Sequence, residues 1–480
     1  MELILPGDEK KPLILMENNT SQPATGCRRT AAMLVVMVGL PATGKTLLAK
    51  KLANYLNWVG QKAKVFRVSD YRRKHVELYS HDLFRSNNSE AAEVRKKSSL
   101  EAMDDARNYL LQGGQLAILD GTNCDRATRA QVMDMFGRQH QIHVLFIECV
   151  CDDEDLLESN TKEILKHSSD YKEMNLEKAV EDFRLKMEHY LEQYQTMSAK
   201  REPQASFIRL VNAGETVTAR GLESPLHTRI LGCVPLFNPT AKVLYFSRHG
   251  ESEYNMLGRI GGDADLSPRG RLYAQALARH FSDKARVPGL RVFVSEKKRT
   301  QQTAAGLPAA YQVLPALNEL DAGVCEGLTY EEMQDKYPQE FAWRDRDKLR
   351  YRYPWGESYV DICRRLEPVL LDLERSTNVL VVAHQAVLRC MLGYFLNKPD
   401  DELPYLNVPL HTVIKLTSEG FHYRMETVKL NVECVDTYRK QPRNCSDVRS
   451  AEDALKTVPK HYDTLNKFWT SSASPLIEQH

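Results

Sequence analysis

The sequence predicts an α/β protein with two domains, each a mostly parallel sheet flanked by helices. Two observations support this class. Short aliphatic runs of the kind found in buried strands alternate with longer amphipathic stretches, a rhythm typical of parallel sheets covered by helices. The alternation loosens around 198–242, where Pro235 and Pro239 occur, and then begins again. The length of 480 residues is sufficient for two large domains.

The first series of elements follows a polar segment, 1–30, which we expect to be a flexible arm. Its predicted strands are Met33–Val38, Lys64–Val68, Gln115–Leu119 and His143–Cys149. Its predicted helices are Thr46–Trp58, Glu90–Leu111, Asp125–Phe136 and Leu176–Tyr194. We assign this domain to 31–240, with a boundary near 238–241.

The second series occupies 241–435. Its predicted strands are Lys242–Phe246, Leu290–Val294, Val379–Ala383 and Thr412–Leu416. Its predicted helices are Arg269–Ser282, Tyr330–Tyr337, Tyr359–Arg375 and Ala386–Leu396. After about residue 430 the chain becomes polar again, so we expect 436–480 to be a mobile tail.

Charge and composition argue against several classes of protein. The 65 basic and 64 acidic residues give a net charge of +1, which argues against a nucleic acid or a membrane held by bulk charge. The longest apolar run, Ala31 to Leu40, is too short to span a bilayer, and the N-terminus lacks the pattern of a signal peptide. The ten cysteines are scattered without a zinc spacing. We expect reduced thiols in a cytoplasmic protein.

A phosphate-binding motif follows the first predicted strand. The run Gly39-Leu40-Pro41-Ala42-Thr43-Gly44-Lys45-Thr46 fits G-x-x-x-x-G-K-[ST] and opens a helix. Backbone N–H groups of such a loop cradle phosphates, Lys45 can reach the β- and γ-phosphates, and the Thr46 hydroxyl can ligate Mg²⁺. The alternative is a glycine-rich turn after a core strand.

Polar residues at other strand ends could complete this site. Asp120 ends the strand Gln115–Leu119, where a carboxylate could hold Mg²⁺ or contact an acceptor hydroxyl, unless it only caps a turn or helix. Arg72 follows another strand, and Arg95 lies early in a helix. Such arginines are usually solvated, but near this loop they could hold a phosphorylated acceptor.

A second motif of a different kind ends the strand Lys242–Phe246, where Arg248-His249-Gly250-Glu251 follows. A neutral histidine can attack phosphorus and form a phosphohistidine that water later hydrolyses. Arg248, Arg299 and His384 offer the cationic pocket that the phosphoryl oxygens need. Departure of an alkoxide requires a proton donor, for which Glu319 is the candidate.

The order of these motifs resembles one family. The second half is similar to the histidine phosphatase superfamily, and 33–430 resembles the bifunctional 6-phosphofructo-2-kinase/fructose-2,6-bisphosphatase family. The resemblance is carried by GRIGGDADLSPRG, NELDAGVCEGLTYEEM, RYRYPWGESY, HQAVLRCMLGYFL and LPYLNVPLHTV. It implies a P-loop NTPase-like domain followed by a phosphoglycerate mutase-like domain. The first would make fructose 2,6-bisphosphate from ATP and fructose 6-phosphate, and the second would hydrolyse its 2-phosphate, regulating glycolysis.

The resemblance also implies roles for individual residues. In the phosphatase half it makes His249 the nucleophile, Glu319 the acid, and Arg248, Arg299 and His384 the phosphoryl clamp. The implied contacts to the sugar bisphosphate are Asn255, Gly261, Tyr330, Arg344, Lys348, Tyr359, Gln385 and Arg389. In the kinase half the implied catalytic residues are Lys45, Asp120 and Cys151. The P-loop and Asn160 would bind ATP, and the implied sugar-phosphate contacts are Arg72, Arg95, Thr122, Lys186 and Tyr190.

Four positions depart from the family pattern in the kinase half. Thr43 replaces an arginine inside the P-loop. Thr128 stands where an arginine is expected, with Arg126 and Arg129 nearby.

The other two departures concern lysines. Leu165 occupies the place of a sugar-phosphate lysine, and Lys166 lies one residue later, about 100° around a helix. Lys186 replaces an arginine, which is not an equivalent group at a bidentate phosphate site. We expect these changes mainly to weaken fructose 6-phosphate binding.

Three hypotheses follow. The leading one is the bifunctional enzyme, with ATP and Mg²⁺ as cofactors of the kinase half and none for the phosphatase half. The alternative is mainly a fructose-2,6-bisphosphatase whose P-loop domain is a weak or inactive kinase that serves as a nucleotide-binding or dimerisation module. A scaffold that binds phosphorylated ligands without turnover would not need the nucleophile and the acid. The family implies a homodimer through the kinase domains, and protein kinases could act on the tails at Thr30, Ser471, Ser472 or Ser474.

Overall fold

The computed structural model describes residues 32–76, 79–237, 242–282, 287–420, 422–442, 453 and 455–458. The described part of the first half contains a six-stranded sheet. Its strands are β1 (Met33–Val38), β2 (Ala63–Arg67), β3 (Leu116–Asp120), β4 (His143–Val150), β5 (Ser206–Val211) and β6 (Thr216–Arg220). They lie in the order β2-β3-β1-β4-β5-β6; neighbours from β2 to β5 are parallel, and β6 is antiparallel to β5.

The four strands predicted for this half are confirmed within two residues at each end. The segment 198–242, where the alternation loosens, contains β5 and β6, which were not predicted. Most residues of β6 are exposed, as expected for an edge strand, so its sequence lacks the buried apolar positions that identify a strand.

Helices cover both faces of this sheet. They are α1 (Lys45–Trp58), α2 (Val68–His75), α3 (Ser89–Leu111), α4 (Arg126–Val132, which continues as a π-helix over Met133–Arg138), α5 (Glu154–His167), α6 (Leu176–Gln193) and α7 (Pro225–Cys233). The four predicted helices are present, and α2, α5 and α7 were not predicted. The helix α5 has no fully buried residue, although Leu157, Ile164 and Leu165 pack against an apolar cluster.

The second sheet also has six strands within the described residues. They are β7 (Val243–Arg248), β8 (Arg291–Val294), β9 (Tyr311–Val313), β10 (Asn378–Ala383), β11 (Thr412–Glu419) and β12 (His422–Lys429). The order is β12-β11-β7-β10-β8-β9, with β7, β10, β8 and β9 parallel and β11 antiparallel to both of its neighbours. The predicted mostly parallel sheet is therefore confirmed, with an antiparallel hairpin added at one edge.

The helices of this half are α8 (Glu253–Met256), α9 (Pro268–His280), α10 (Lys298–Ala304), α11 (Tyr330–Lys336), α12 (Pro338–Arg346), α13 (Tyr359–Arg375) and α14 (Gln385–Phe395). The four predicted helices are confirmed, and α13 has the predicted bounds. No helix in the described part of the chain is long and apolar enough to cross a membrane.

The two halves pack together through α1, α13 and α14. Trp58 Nε1 donates to the Cys390 carbonyl oxygen at 3.1 Å. The Glu374 carboxylate is buried and pairs with Lys51 of α1 at 2.8 Å and with Lys242 at 3.1 Å. The predicted boundary, 238–241, lies outside the described residues.

Candidate active sites

Two parallel strands bring two histidines together in the second half. Ala383 at the end of β10 is paired with Arg248 at the end of β7. His249 and His384 follow these positions, and their ring centroids are 5.2 Å apart. The carboxyl ends of neighbouring parallel strands are the usual place for ligand-binding groups in α/β proteins.

The imidazole of His249 is held in its neutral form. The side chain is buried, and Nδ1 lies 2.7 Å from the Gly250 carbonyl oxygen. A carbonyl oxygen only accepts, so this contact places the proton on Nδ1 and the lone pair on Nε2. Burial, together with the charges of Arg299 and Arg248, holds the pKa of His249 well below its usual range. An unprotonated Nε2 can attack phosphorus.

Arginine side chains surround the histidine pair and are fixed by backbone carbonyls. Arg248 Nη1 donates to the Val408 oxygen at 3.1 Å, and Arg299 Nη1 donates to the Gly262 oxygen at 2.8 Å. Within the described residues, the buried Arg248 Nε and His384 Nδ1 have no hydrogen-bond partner. Buried polar atoms are normally paired, so an anionic ligand such as a phosphoryl group would fit here.

Glu319 lies at the amino end of α14. Its Oε1 accepts hydrogen bonds from the backbone N–H of Leu320 at 2.9 Å and of Ala386 at 3.2 Å. Its side chain lines the same cavity as His249. The two backbone donors fix the carboxyl group where it can exchange a proton with a leaving oxygen.

The cavity has a volume of about 140 Å³ and is lined by every residue that the resemblance assigned to the sugar bisphosphate. These are Asn255, Gly261, Tyr330, Arg344, Lys348, Tyr359, Gln385 and Arg389. Burial, followed by the charges of Arg389 and Arg344, holds the pKa of Lys348 well below its usual range. Arg344 Nη1 and Arg389 Nη2 are buried without a hydrogen-bond partner among the described residues. A second phosphate would offset this concentration of positive charge.

Residues beyond the predicted end of the domain also belong to this site. Thr437 lines the cavity and accepts a hydrogen bond from Arg248 at 2.6 Å. Arg439 is 3% exposed and pairs with Asp345. The expectation of a mobile tail is therefore wrong for 436–442, and no motif in this polar stretch pointed to the site. The predicted arm 1–30 and the serines of 471–474 lie outside the described residues.

In the first half, the P-loop connects β1 to α1. Gly39 has a φ of +135°, and a Cβ atom there would lie 2.3 Å from the Cys149 carbonyl oxygen, so only glycine fits. Asn160 Nδ2 donates to the Ala42 carbonyl oxygen at 2.8 Å and holds the loop from one side. The loop thus precedes the amino end of a helix, where phosphates bind.

The reactive side chains of the P-loop lie beside Asp120. Lys45 Nζ donates to the Leu40 carbonyl oxygen and is 3.4 Å from Thr43 Oγ1. Thr46 Oγ1 is 3.3 Å from Asp120 Oδ1. Burial raises the pKa of Asp120 and lowers that of Lys45. A hydroxyl and a carboxylate oxygen side by side are suitable ligands for the Mg²⁺ that accompanies ATP.

Two cations lie beside the same aromatic rings. The Arg72 guanidinium is 5.3 Å from the ring centroids of both Tyr79 and Phe84. Lys186 Nζ is 5.4 and 4.8 Å from these rings. Arg72 also pairs with Asp170 at 2.6 Å. Burial, followed by the charge of Arg72, lowers the pKa of Lys186 to about 7.

The remaining predicted kinase residues lie on helices beside the first sheet or directly after its strands. Tyr190 shares a hydrogen bond with the Thr122 side chain, and burial raises the pKa of Tyr190 to about 12. Arg95 donates to the Leu83 carbonyl oxygen. Cys151 follows β4 and Asp120 ends β3, and these strands flank β1 on opposite sides.

Thr128 and its arginine neighbours have different roles. Thr128 Oγ1 donates to Asp125 at 2.7 Å at the start of α4. Arg129 is 1% exposed and makes a bidentate pair with Glu202 at 2.7 and 3.0 Å, so it is not available to a substrate. Arg126 has a buried Nε without a partner in the described part of the chain, which makes it the better replacement for the expected arginine.

The other departures also have structural roles. Leu165 packs against an apolar cluster that includes Ala42 and Phe183. Lys166 is exposed, so it does not replace the expected lysine. Thr43 Oγ1 donates to the carbonyl oxygen of Leu40 within the P-loop at 2.8 Å.

Comparisons with known proteins agree for both halves. Residues 21–233 match the family model of 6-phosphofructo-2-kinase, and residues 244–431 match that of the histidine phosphatase superfamily, branch 1. A 6-phosphofructo-2-kinase/fructose-2,6-bisphosphatase of Gallus gallus is 46% identical over 431 residues, which cover 89% of this chain and 91% of that protein. The 6-phosphofructo-2-kinase/fructose-2,6-bisphosphatase 4 of Macaca fascicularis is 44% identical over 456 residues, 93% of this chain and 97% of that protein. The chain therefore belongs to the 6-phosphofructo-2-kinase/fructose-2,6-bisphosphatase family.

Proposed function

We propose that this chain makes fructose 2,6-bisphosphate from ATP and fructose 6-phosphate and also hydrolyses its 2-phosphate. The observation that carries the proposal is that one chain contains two clusters of buried polar side chains, each suited to a different phosphate chemistry. One contains Lys45, Thr46 and Asp120 next to a P-loop. The other contains a neutral histidine within a cluster of arginines.

Hydrolysis proceeds in two steps. Nε2 of His249 attacks the 2-phosphate, the bond from phosphorus to the C2 oxygen breaks, and Glu319 protonates the departing oxygen. Arg248, Arg299 and His384 stabilise the charge on the phosphoryl oxygens. Water then attacks the phosphohistidine, with the Glu319 carboxylate accepting its proton, and His249 is regenerated.

The distal phosphate gives the phosphatase its selectivity. Arg344, Lys348 and Arg389 line the cavity and bind the 6-phosphate of the sugar. The buried Nη1 of Arg344 and Nη2 of Arg389, which have no hydrogen-bond partner among the described residues, would donate to that phosphate. A substrate with one phosphate leaves them unpaired, which disfavours its binding.

In the kinase half, the acceptor hydroxyl attacks the γ-phosphorus of ATP, the bond from that phosphorus to the β,γ-bridging oxygen breaks, ADP leaves, and the hydroxyl proton passes to the Asp120 carboxylate. Lys45 stabilises the charge of the β- and γ-phosphates, and Asp120 lies where it can orient the acceptor. Thr46 and Asp120 would hold Mg²⁺, which neutralises phosphate charge when bound. Arg72 and Lys186 bind the phosphate of the sugar.

We prefer the bifunctional enzyme to the alternative hypothesis that the chain works mainly as a bisphosphatase. The P-loop keeps Lys45 and Thr46 beside Asp120, and Arg126 and Lys186 supply positive charge despite the four departures. We also propose a cytoplasmic location, which the free thiols of the described cysteines suit. A homodimer through the kinase halves and protein kinases acting on the tails stay predictions of the family resemblance.

The test is synthesis of fructose 2,6-bisphosphate by the purified His249→Ala variant from MgATP and fructose 6-phosphate. This change removes the nucleophile, so the product should accumulate, and adding Lys45→Met should stop its formation. The unmutated protein should hydrolyse added bisphosphate and form a phosphohistidine. If no product appears at millimolar sugar phosphate while the unmutated protein still hydrolyses, the chain is a one-way phosphatase and the proposal fails for the kinase half.

A further inference from the structure

The C-terminal segment 432–442 follows β12 and lies beyond the residues that match the histidine phosphatase model, 244–431. It is anchored directly to the catalytic motif. The Val435 N–H donates to Glu251 Oε2 at 2.9 Å, and the Val432 carbonyl oxygen lies 3.1 Å from His411 Nδ1. His411 Nε2 in turn accepts from the Glu251 N–H at 3.0 Å. The segment is therefore fixed relative to the motif that carries His249.

Thr437 of this segment is hydrogen-bonded to Arg248. Its hydroxyl accepts a hydrogen bond from Arg248 Nη1 at 2.6 Å, and the same nitrogen donates to the Val408 oxygen at 3.1 Å. A hydrogen bond from a charged donor is stronger than one between neutral groups. Both hydrogens of Nη1 are thereby used, which fixes the plane of the guanidinium and leaves Nε for a ligand.

Arg439 of the same segment engages the acidic neighbour of Arg344. Its Nη2 lies 2.9 and 2.7 Å from the two oxygens of Asp345. Asp345 is also 3.8 Å from Arg344 Nη1. The guanidinium groups of Arg439 and Arg344 are 5.1 and 5.2 Å from the centroid of one ring, that of Tyr330. Asp345 thus lies between two arginines and is closer to Arg439.

We propose that Thr437 and Arg439 are positioning residues of the phosphatase site, an inference that rests on the proposed bisphosphatase function. Thr437 aims Arg248 at the reacting phosphate. Arg439 pairs with the Asp345 carboxylate, which therefore competes less for Arg344. Arg344 stays available to the distal phosphate. Because the two residues are two positions apart on one segment, that segment fixes both phosphate-binding arginines relative to each other.

The first test compares Thr437→Val with Thr437→Ser in the full chain. Valine keeps the shape but removes the acceptor, so we expect kcat for fructose 2,6-bisphosphate to fall by about 10-fold or more with a smaller change in KM. Serine keeps the hydroxyl and should restore kcat. The kinase activity of the same preparations serves as the control for folding, because Thr437 lies in the other half.

The second test concerns Arg439→Ala. Without Arg439, the carboxylate of Asp345 should interact more strongly with Arg344, draw it away from the substrate and raise KM by about 10-fold, with kcat changed less. Adding Asp345→Asn removes the competing charge and should lower KM again. A variant that is merely destabilised would not be rescued by a second change in the same buried cluster.

Vanadate separates this inference from the proposed function, because it resembles the transition state of phosphoryl transfer and binds without turnover. If the unmutated protein fails to hydrolyse the bisphosphate, the proposed function fails, but calorimetric titration with vanadate still tests the clamp. We expect Thr437→Val to bind vanadate at least about 10-fold more weakly than Thr437→Ser. Equal affinities of these two variants, or a double variant no better than Arg439→Ala, would overturn the inference.

Discussion

Lys186 should give the kinase half a pH dependence that an arginine at this position would not produce. Its ammonium group lies among aromatic rings next to Arg72, and burial followed by that neighbouring charge lowers its pKa to about 7. The group is therefore protonated below this pH and loses its charge as the pH rises. Only the charged form attracts the phosphate of the sugar, so we expect KM for fructose 6-phosphate to rise with pH.

The size of the effect follows from the titration. Between pH 7 and pH 8.5 the protonated fraction of a group with a pKa of about 7 falls from about one half to about 3%, so KM should rise by up to about 15-fold. The second ionisation of a phosphate monoester has a pKa of about 6, so the sugar phosphate is already mostly dianionic throughout this range. Binding of fructose 6-phosphate at the upper end of this pH range should be accompanied by uptake of a proton by Lys186.

The assay measures initial rates of synthesis in the His249→Ala background at saturating MgATP, with Lys186→Arg and Lys186→Met for comparison. The arginine variant should have a KM that changes little with pH, because the guanidinium stays charged. The methionine variant should have a high KM throughout, which the lysine protein approaches at high pH. A KM of the lysine protein that is flat from pH 7 to pH 8.5, or one that varies in parallel with that of the arginine variant, would refute the reasoning.

Two buried ion pairs give further predictions. Arg129→Ala should lower the free energy of unfolding by about 3 kcal/mol, because Glu202 loses its arginine partner. KM for fructose 6-phosphate should stay unchanged. A raised KM in a stably folded variant would instead place Arg129 in the substrate site. Glu374→Gln should lower the free energy of unfolding, measured by urea titration, by a similar amount, because Lys51 and Lys242 lose the carboxylate that they share. Burial alone would raise the pKa of Glu374, but these two lysines lower it below its ordinary value. The contribution of the Glu374 carboxylate to the stability of the fold is therefore lost on acidification. The difference between wild type and variant should then shrink below about pH 4, and a constant difference would argue against the ion pairs.

The sequence predicted the fold where elements are amphipathic or fully buried. Every residue of β1 is buried, which gives a continuous apolar run, and α13 has eight buried positions at helical spacing. Both patterns are clear in the sequence. The helix α5 and the edge strand β6 have no fully buried residue, and they were missed. Local patterns reveal burial, and an element that contacts the core with only part of its side chains leaves a weak pattern.

The candidate sites were predictable for a related reason. Phosphate chemistry requires particular residue types at strand ends, and His249, His384 and the P-loop follow strands that are themselves easy to identify. The structure adds what sequence spacing could not supply. It shows that Arg129 is paired with Glu202 and that Lys166 is exposed, so position in the chain alone does not decide which nearby cation can replace a missing one.

The residues that orient Arg248 and Arg344 could not be predicted from the sequence. Thr437 and Arg248 are 189 positions apart in the chain, and Arg439 and Asp345 are 94 apart. Both partners lie in a polar stretch whose composition predicts a tail, because composition cannot distinguish polar groups that face water from polar groups that pair with buried charges. A buried guanidinium must have such partners in order to be stable and correctly aimed. The requirement could have been predicted, but the partners could be identified only from the folded chain.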